Sequence, residues 1–290
     1  VAPLVWVAFS IITPDDDLIV KIDRRAPNAT ERLATMKALS AAGVSTALRL
    51  RPMLPGVTDR TPRIRQAYRV LIEKAAEAGA RAVSYEVAFV PGAASVDVKE
   101  RWRKLGQIVG FDFLGRYAQF GPRAPCMRPP YTWTEDIMHA VREVAHANRM
   151  VVGVSDPVWK QLSDTGCCCG ILPDDPVFGN WQRESATNQL LEAMVSGKEL
   201  RAADITPTWS LKKLLPGMLN PGVGPRVAYK VRHMMWADKL SNVWNNVEEK
   251  RGPLKYFQGA LVPIRREGDE IVYAYKGLRR RNLPNPDWSV

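Results

Sequence analysis

The chain has 290 residues, of which 46% are hydrophobic and 24% charged, and its formal net charge is +11. That length buries a real core, and the composition excludes a disordered, collagenous or disulfide-framed chain. No run of about 18 apolar residues occurs, so the sequence predicts neither a membrane span nor a membrane partner.

The chain opens on Val1-Ala2-Pro3-Leu4, without Met, a basic n-region or a small-residue cleavage pattern. No signal peptide is predicted, and the expectation is a fragment whose true N-terminus lies upstream. Val5, Val7 and Phe9 then alternate with Trp6, Ala8 and Ser10, which predicts a strand. Asp15-Asp16-Asp17 has the look of an acidic metal-binding run, but before Leu18-Ile19 it predicts a polar turn and a helix N-cap. Asn28 with Glu31 three residues later is a capping-box pattern. Behind it Leu33, Met36, Leu39 and Ala42 share a helical face, and Gly43 supplies the stop. A strand from Thr46 to Arg51 follows, in which Leu48 and Leu50 alternate with Arg49 and Arg51. The next helix is predicted from about Pro62 to Ala78, ended by Gly79. After it, Ala82 to Phe89 sets Val83, Tyr85 and Val87 against Ser84, Glu86 and Ala88.

Each of these three strands therefore has one apolar and one polar face. Strand and helix alternating with Gly at the helix ends predict an α/β fold with a parallel sheet. A doubly wound sheet would be apolar on both faces of its strands, so the expected architecture is a closed or partial (β/α) barrel with a ligand in its lumen. Interior arginines are costly unless paired with an anion. Arg49 and Arg51 lie at the C-terminal end of a strand, where parallel folds hold their ligands, and a guanidinium fork suits a carboxylate or phosphate. The other reading is that both arginines pair with acids on neighbouring strands, Glu86 first among them. Ser10 and Thr13 could hydrogen-bond a ribose or carboxylate, although Ser10 taken alone is an ordinary strand-end cap.

After Pro91 the rhythm loosens. Val98 to Ile108 reads as a helix, and Gly110 to Pro130, rich in Gly, Pro and aromatics, as a loop or lid. Glu135 to Asn148 is an amphipathic helix with Ile137, Ala140, Val141, Val144 and Ala145 inward, and Met150 to Val154 is a short strand. Asp156 to Phe178 reads as a loop, and Arg183 to Val195 as a helix. Beyond Lys198 the composition turns to Trp, Pro and basic residues, which places a domain boundary near 200. The two parts are then 1–200, the partial barrel, and 201–290, a smaller α+β, basic, Trp-rich accessory region. A hairpin from Leu261 to Tyr275 turns at Glu267-Gly268-Asp269.

Residues 201–290 hold 16 Lys and Arg against 8 Asp and Glu, so most of the basic excess lies there. Lys212, Lys213, Arg226, Lys230, Arg232, Lys239 and Arg279 to Arg281 are interleaved with Trp209, Tyr229, Trp236, Trp244 and Tyr256. Cations mixed with aromatics suit nucleic acid, a possible partner, through phosphate contact and base stacking. The alternative is an accessory domain whose Trp residues form its core. The histidines His139, His146 and His233 have no metal-ligand spacing.

Only four cysteines are present, Cys126 and the run Cys167-Cys168-Cys169. They form no disulfide framework and fit a reducing, cytoplasmic setting. Adjacent residues in extended chain point to opposite sides, so Cys167 and Cys169 are the pair expected to converge. An auxiliary cluster or zinc site using Cys126, Cys167 and Cys169 is one reading; structural or mildly reactive thiols are the other.

A set of motifs in order then carries a resemblance. Trp6 to Thr13 is followed by Arg25-Ala26-Pro27-Asn28-Ala29-Thr30-Glu31-Arg32-Leu33, by Ala42-Gly43-Val44, and by Arg51-Pro52-Met53-Leu54-Pro55-Gly56-Val57-Thr58-Asp59. Glu77-Ala78-Gly79-Ala80, Val83-Ser84-Tyr85, Ser155-Asp156-Pro157 and Thr165-Gly166-Cys167-Cys168-Cys169-Gly170 continue it. Over roughly residues 4 to 195 the chain resembles the second half of a radical SAM barrel, in the branch similar to spore photoproduct lyase. The resemblance implies a small-molecule cofactor, S-adenosylmethionine, beside a 4Fe–4S cluster, with an electron donor as a further partner. It also implies lyase-like or DNA-lesion-repair chemistry through a 5′-deoxyadenosyl radical. By position the cofactor would meet Ser10, Thr13, Arg49, Arg51, Ser84 and Glu86, with the backbone of Pro55 and Gly56 on its adenine side. The family's cluster motif C-x3-C-x2-C is absent from these 290 residues, so its ligands are expected upstream of Val1 and the fragment by itself is expected to be inactive. Two rivals remain: a nucleic-acid-binding protein on a degenerate barrel without redox chemistry, and an ordinary (β/α) enzyme that binds phosphate at Arg49 and Arg51.

Overall fold

The computed structural model describes residues 5–92, 94–120, 126–171, 175, 186–205, 236–249, 252–257 and 259–278. The chain is mixed α/β. Four strands, β1 (Trp6–Ser10), β2 (Ser45–Met53), β3 (Ala82–Val87) and β7 (Val151–Val154), form one parallel sheet in the order β1-β2-β3-β7. Parallel neighbours need crossovers, and the helices α2 (Ala29–Ala41), α3 (Ala67–Glu77) and α6 (Tyr131–Ala147) supply them.

The alternation in the sequence sets which face these helices cover. Leu48, Leu50, Val83, Tyr85, Val87, Val152 and Val154 are buried together with Met36 of α2, Leu71, Ile72 and Ala75 of α3, and Met138, Val141 and Val144 of α6. All three crossover helices thus pack on the apolar face. The expected capping box is present: Asn28 accepts from the Glu31 amide at 2.8 Å, and Glu31 accepts from the Asn28 amide at 2.9 Å. Asp15 caps α1 (Asp16–Ile22), so the acidic run is the predicted polar turn.

Two boundaries differ from expectation. Helix α3 begins at Ala67, five residues later than predicted, because the preceding turn makes its own bonds: Thr61 exchanges backbone hydrogen bonds with Ile64, and Gln66 is left-handed (φ 53°). Helix α6 begins at Tyr131, directly after Pro130, whose carbonyl accepts from Thr134 at 3.0 Å.

The stretch from Gly110 to Pro130 is more structured than a loop. It contains α5 (Phe113–Arg116) and two of the three strands of a small sheet, β4 (Val90–Pro91), β5 (Ala118–Phe120) and β6 (Cys126–Arg128). Phe111, Phe113 and Tyr117 pack with Leu18 of α1, with Leu54 and Val57, and with Trp102 and Leu105 of α4 (Val96–Val109). The aromatics that suggested a lid build a second apolar cluster, next to the C-terminal end of β2.

A third cluster joins Leu191 and Met194 of the helix Ala186–Ser196 to Trp244, Phe257, Leu261, Ile271 and Tyr273. The boundary expected near residue 200 falls inside this cluster, since Leu200 exchanges backbone hydrogen bonds with Tyr273 at 2.9 and 3.0 Å. The hairpin β8 (Leu261–Glu267) and β9 (Glu270–Tyr275) forms as predicted. Trp244 is a core residue here: its indole donates to the Ile271 carbonyl at 2.6 Å. Trp209, Lys212, Lys213, Arg226, Tyr229, Lys230, Arg232 and Arg279 to Arg281, on which the nucleic-acid expectation rests, lie outside the described residues. Among the described residues no helix is long and apolar enough to cross a membrane.

Candidate functional site

The sheet register brings the polar residues into line. Ser10 is paired with Arg49, Arg49 with Ser84, and Ser84 with Gly153, one row across all four strands. Two residues nearer the strand starts, the next row on this face is Ala8, Ala47, Ala82 and Val151. Side chains two residues apart share a face, so Arg51 and Glu86 extend this polar face toward the C-terminal ends of the strands.

Arg51 is the hub. Its Nη1 donates to Ser84 Oγ at 3.2 Å and to the Cys168 carbonyl at 3.4 Å, and its Nη2 to Glu86 Oε2 at 3.2 Å. The side chains of the pair are 16% and 25% exposed, so the charges are only partly screened. The cross-strand pairing of arginine with Glu86 is therefore realised for Arg51. Arg49 is different: it is exposed, and among the described residues its side chain has no hydrogen-bond or ion-pair partner. The Nε of Arg51 is buried and has no hydrogen-bond partner among the described residues.

The cysteine run closes over the same face at β7. Gly153 is glycine for a physical reason: a Cβ there would stand 2.6 Å from the Gly170 nitrogen and 2.7 Å from the Cys167 carbonyl oxygen. The turn is tied from below. Ser84 Oγ donates to the Cys168 carbonyl at 2.5 Å, the Cys167 amide donates to Thr165 Oγ1 at 2.8 Å, and Gly170 donates back to the Cys167 carbonyl at 3.2 Å. Lys160, 5% exposed, donates from Nζ to the Val154 carbonyl at 2.9 Å and the Gly166 carbonyl at 3.3 Å. Desolvation holds its ammonium below the ordinary lysine range, and the nearby Cys168 and Cys167 oppose that shift.

This turn gathers all three thiols, where an extended chain would have separated the middle one. Cys168 Sγ and Cys169 Sγ are 3.9 Å apart, and the Cys169 amide points at Cys167 Sγ at 3.3 Å. A hydrogen bond from Cys169, with further help from Ser155 and the Arg51 guanidinium, holds Cys168 below the ordinary thiol range. Cys167 is also lowered, first by Cys169 and then by the amides of Ile171 and Cys169, while Cys169 keeps its proton. The auxiliary metal site expected from Cys126, Cys167 and Cys169 is not formed: Cys126 starts β6, in the separate small sheet, and among the described residues no group of three or more His, Cys, Asp or Glu side chains is arranged to hold a metal ion.

Two cavities open on the polar face, and Arg51 and Pro52 line both. One, of about 220 Å³, is bounded by Arg49, Glu86, Phe89 and Trp102. The other, of about 260 Å³, is bounded by Ser10, Ile19, Asp23, Arg32, Leu54 and Leu105. Ser10 thus faces a cavity, and its carbonyl is held by Arg32 Nη1 at 2.6 Å.

Three expected contacts fall elsewhere. Thr13 is fully buried and accepts from the Asp15 amide at 3.3 Å, so it shapes the entry to α1. Pro55 is buried, and the Gly56 amide donates to Asp59 Oδ1 at 2.7 Å. Gly56 (φ 74°) lies against the Val109 carbonyl, 3.6 Å from where its Cβ would be, so this turn packs on α4 and lines neither cavity.

Other contributors were not singled out as site residues. Lys160 and Ser155 shape the thiol turn, and buried Asp156 forms an ion pair with Arg128, whose guanidinium lies 5.7 Å from the Phe89 ring centroid. A usable signal was present at Lys160, a lone cation between Trp159 and Leu162 just before Thr165-Gly166.

Comparison with protein-family models, curated proteins and solved structures gives no match to this chain. The two implied cofactors fare differently against the residues present. A 4Fe–4S cluster does not fit them: its motif is missing, and the thiols are not arranged as a ligand group. A small molecule with a carboxylate fits Arg49, which has no partner among the described residues and lines a cavity together with Arg51.

Proposed function

We propose that the polar face of this sheet is the S-adenosylmethionine-binding wall of a radical SAM-like enzyme, one side of a partial (β/α) barrel. The observation that carries the reading is Arg49: an exposed guanidinium without a partner among the described residues, in register between Ser10 and Ser84, on a cavity that it shares with Arg51. Helices packed on the other face leave this one for a ligand, as a barrel lumen requires. In this reading Arg49 takes the methionine carboxylate, Ser10 hydrogen-bonds the ribose, and Glu86 keeps Arg51 in place. No step of the radical chemistry implied by the sequence resemblance is assigned to these residues. These residues bind and orient.

Calorimetric titration of the protein with S-adenosylmethionine tests the proposal. Saturable binding that weakens roughly tenfold or more in Arg49→Ala supports it, the loss expected for one charge-assisted pair. Failure to bind S-adenosylmethionine, with inorganic phosphate binding in an Arg49-dependent way, would replace it with the ordinary phosphate-binding (β/α) enzyme.

A further inference from the structure

The binding reading leaves Cys167, Cys168 and Cys169 without a role, yet this turn is held at several points. The Cys168 carbonyl is clamped by Ser84 at 2.5 Å and Arg51 at 3.4 Å, and the flanking backbone is anchored by Lys160, Thr165 and the Gly153–Gly170 contact. The clamp leaves the sulfurs available: Cys168 is half-buried and Cys169 exposed. We propose that this turn is a hydroperoxide-reactive site, in which Cys168 is oxidised and Cys169 resolves it into a reversible Cys168–Cys169 disulfide.

The chemistry balances as two displacements. The Cys168 thiolate attacks the nearer oxygen of a hydroperoxide ROOH; the S–O bond forms, the O–O bond breaks, and alkoxide leaves and takes up a proton as ROH. Sulfur is oxidised by two electrons and the peroxide is reduced. The Cys169 thiol then attacks the sulfenic sulfur; the S–S bond forms, the S–O bond breaks, and hydroxide leaves with the Cys169 proton as water.

Each role follows from position. Cys168 has a guanidinium and the Ser155 hydroxyl beside it, the electropositive setting that makes a thiol reactive. Cys169 has its sulfur 3.9 Å from Cys168 Sγ, so it is the thiol placed to resolve the sulfenic acid. Cα atoms of adjacent residues are about 3.8 Å apart, closer than the usual disulfide span of about 4.4–6.8 Å. A bond between such neighbours is strained, and strained disulfides are the readily reduced ones. The site is therefore suited to cycling and poorly suited to permanent cross-linking. It does not depend on the S-adenosylmethionine proposal.

The test is to treat the reduced protein with dilute hydrogen peroxide, alkylate the remaining thiols and map the peptides by mass spectrometry. The expected result is a 167–169 peptide lighter by two hydrogens, with Cys168 and Cys169 protected, Cys126 still alkylated, and full recovery after dithiothreitol. In Cys169→Ser a cyclic diketone should capture sulfenic acid at Cys168, and in Cys168→Ser the oxidation should slow roughly tenfold or more. Because Cys126 is an internal reference, the wild-type protein alone can decide. Oxidation of Cys126 as fast as Cys168, a disulfide mapped to Cys167–Cys169, or Cys168→Ser oxidising like wild type would overturn the proposal.

Discussion

Gly153 and Gly170 touch backbone to backbone, so the central residue of β7 and the end of the cysteine turn leave no room for a methyl group between them. The obstacles are a main-chain nitrogen and a main-chain carbonyl, which cannot swing aside as a side chain would. Gly153→Ala should lift the turn from the sheet and cost about 1–3 kcal/mol, the range for overpacking. Chemical denaturation measures the loss. Alkylation of Cys168 should slow toward that of a free thiol as its distance from Arg51 grows.

Lys160→Met keeps the length of the side chain and removes the ammonium. The Val154 and Gly166 carbonyls then lose a buried donor, at about 1–3 kcal/mol for groups left unsatisfied. Thermal unfolding should register this, whereas Lys74→Met on α3 should fall within about 0.5 kcal/mol of wild type.

Removal of Arg51 should have two effects. Arg51→Ala deprives Glu86 of its partner and the Cys168 carbonyl of a donor, so stability should fall by about 1–3 kcal/mol. S-adenosylmethionine affinity should fall as well, by roughly tenfold or more. Glu86→Gln instead leaves Arg51 less neutralised, and calorimetry should show affinity equal to or above wild type.

The thiol and the lysine make stability depend on pH with the same sign. The folded state holds Cys168 below its ordinary value of 9.0 and Lys160 below 10.5. Between the folded and unfolded values the unfolded chain binds the extra proton, so stability rises with pH. The Cys168 contribution is complete above the unfolded thiol value and is lost as pH falls through the folded one. Melting temperatures of wild type and Cys168→Ser should therefore diverge between about pH 4 and pH 9, with wild type gaining as pH rises.

The strands were legible because alternation is a local signal. Leu48, Leu50, Val83 and Tyr85 are all in the core, and Arg49, Arg51, Ser84 and Glu86 lie together on the other face. The Asn28–Glu31 capping box was legible for the same reason. What escaped was long-range. Nothing local to Phe111, Phe113 and Tyr117 says that Trp102, Leu18 and Leu54 will meet them, and so a packed cluster reads as a lid. The sequence predicts convergence of Cys167 and Cys169 alone; Cys168 joins them in a turn that ends at Gly170 (φ 77°), packed on Gly153. Thr13 and the Gly56 amide have partners close in sequence, Asp15 and Asp59, that tie them into the turns they belong to.

The two cavities share Arg51 and Pro52 as a common partition. Among the described residues Arg51 is the cation that fronts both chambers, and its two terminal nitrogens are engaged by Ser84, Glu86 and the Cys168 carbonyl. An anion that draws it toward one chamber withdraws it from the other and loosens its hold on the cysteine turn. Occupants of the two chambers should accordingly compete without touching, and either one should be reported by the reactivity of a sulfur that lines neither.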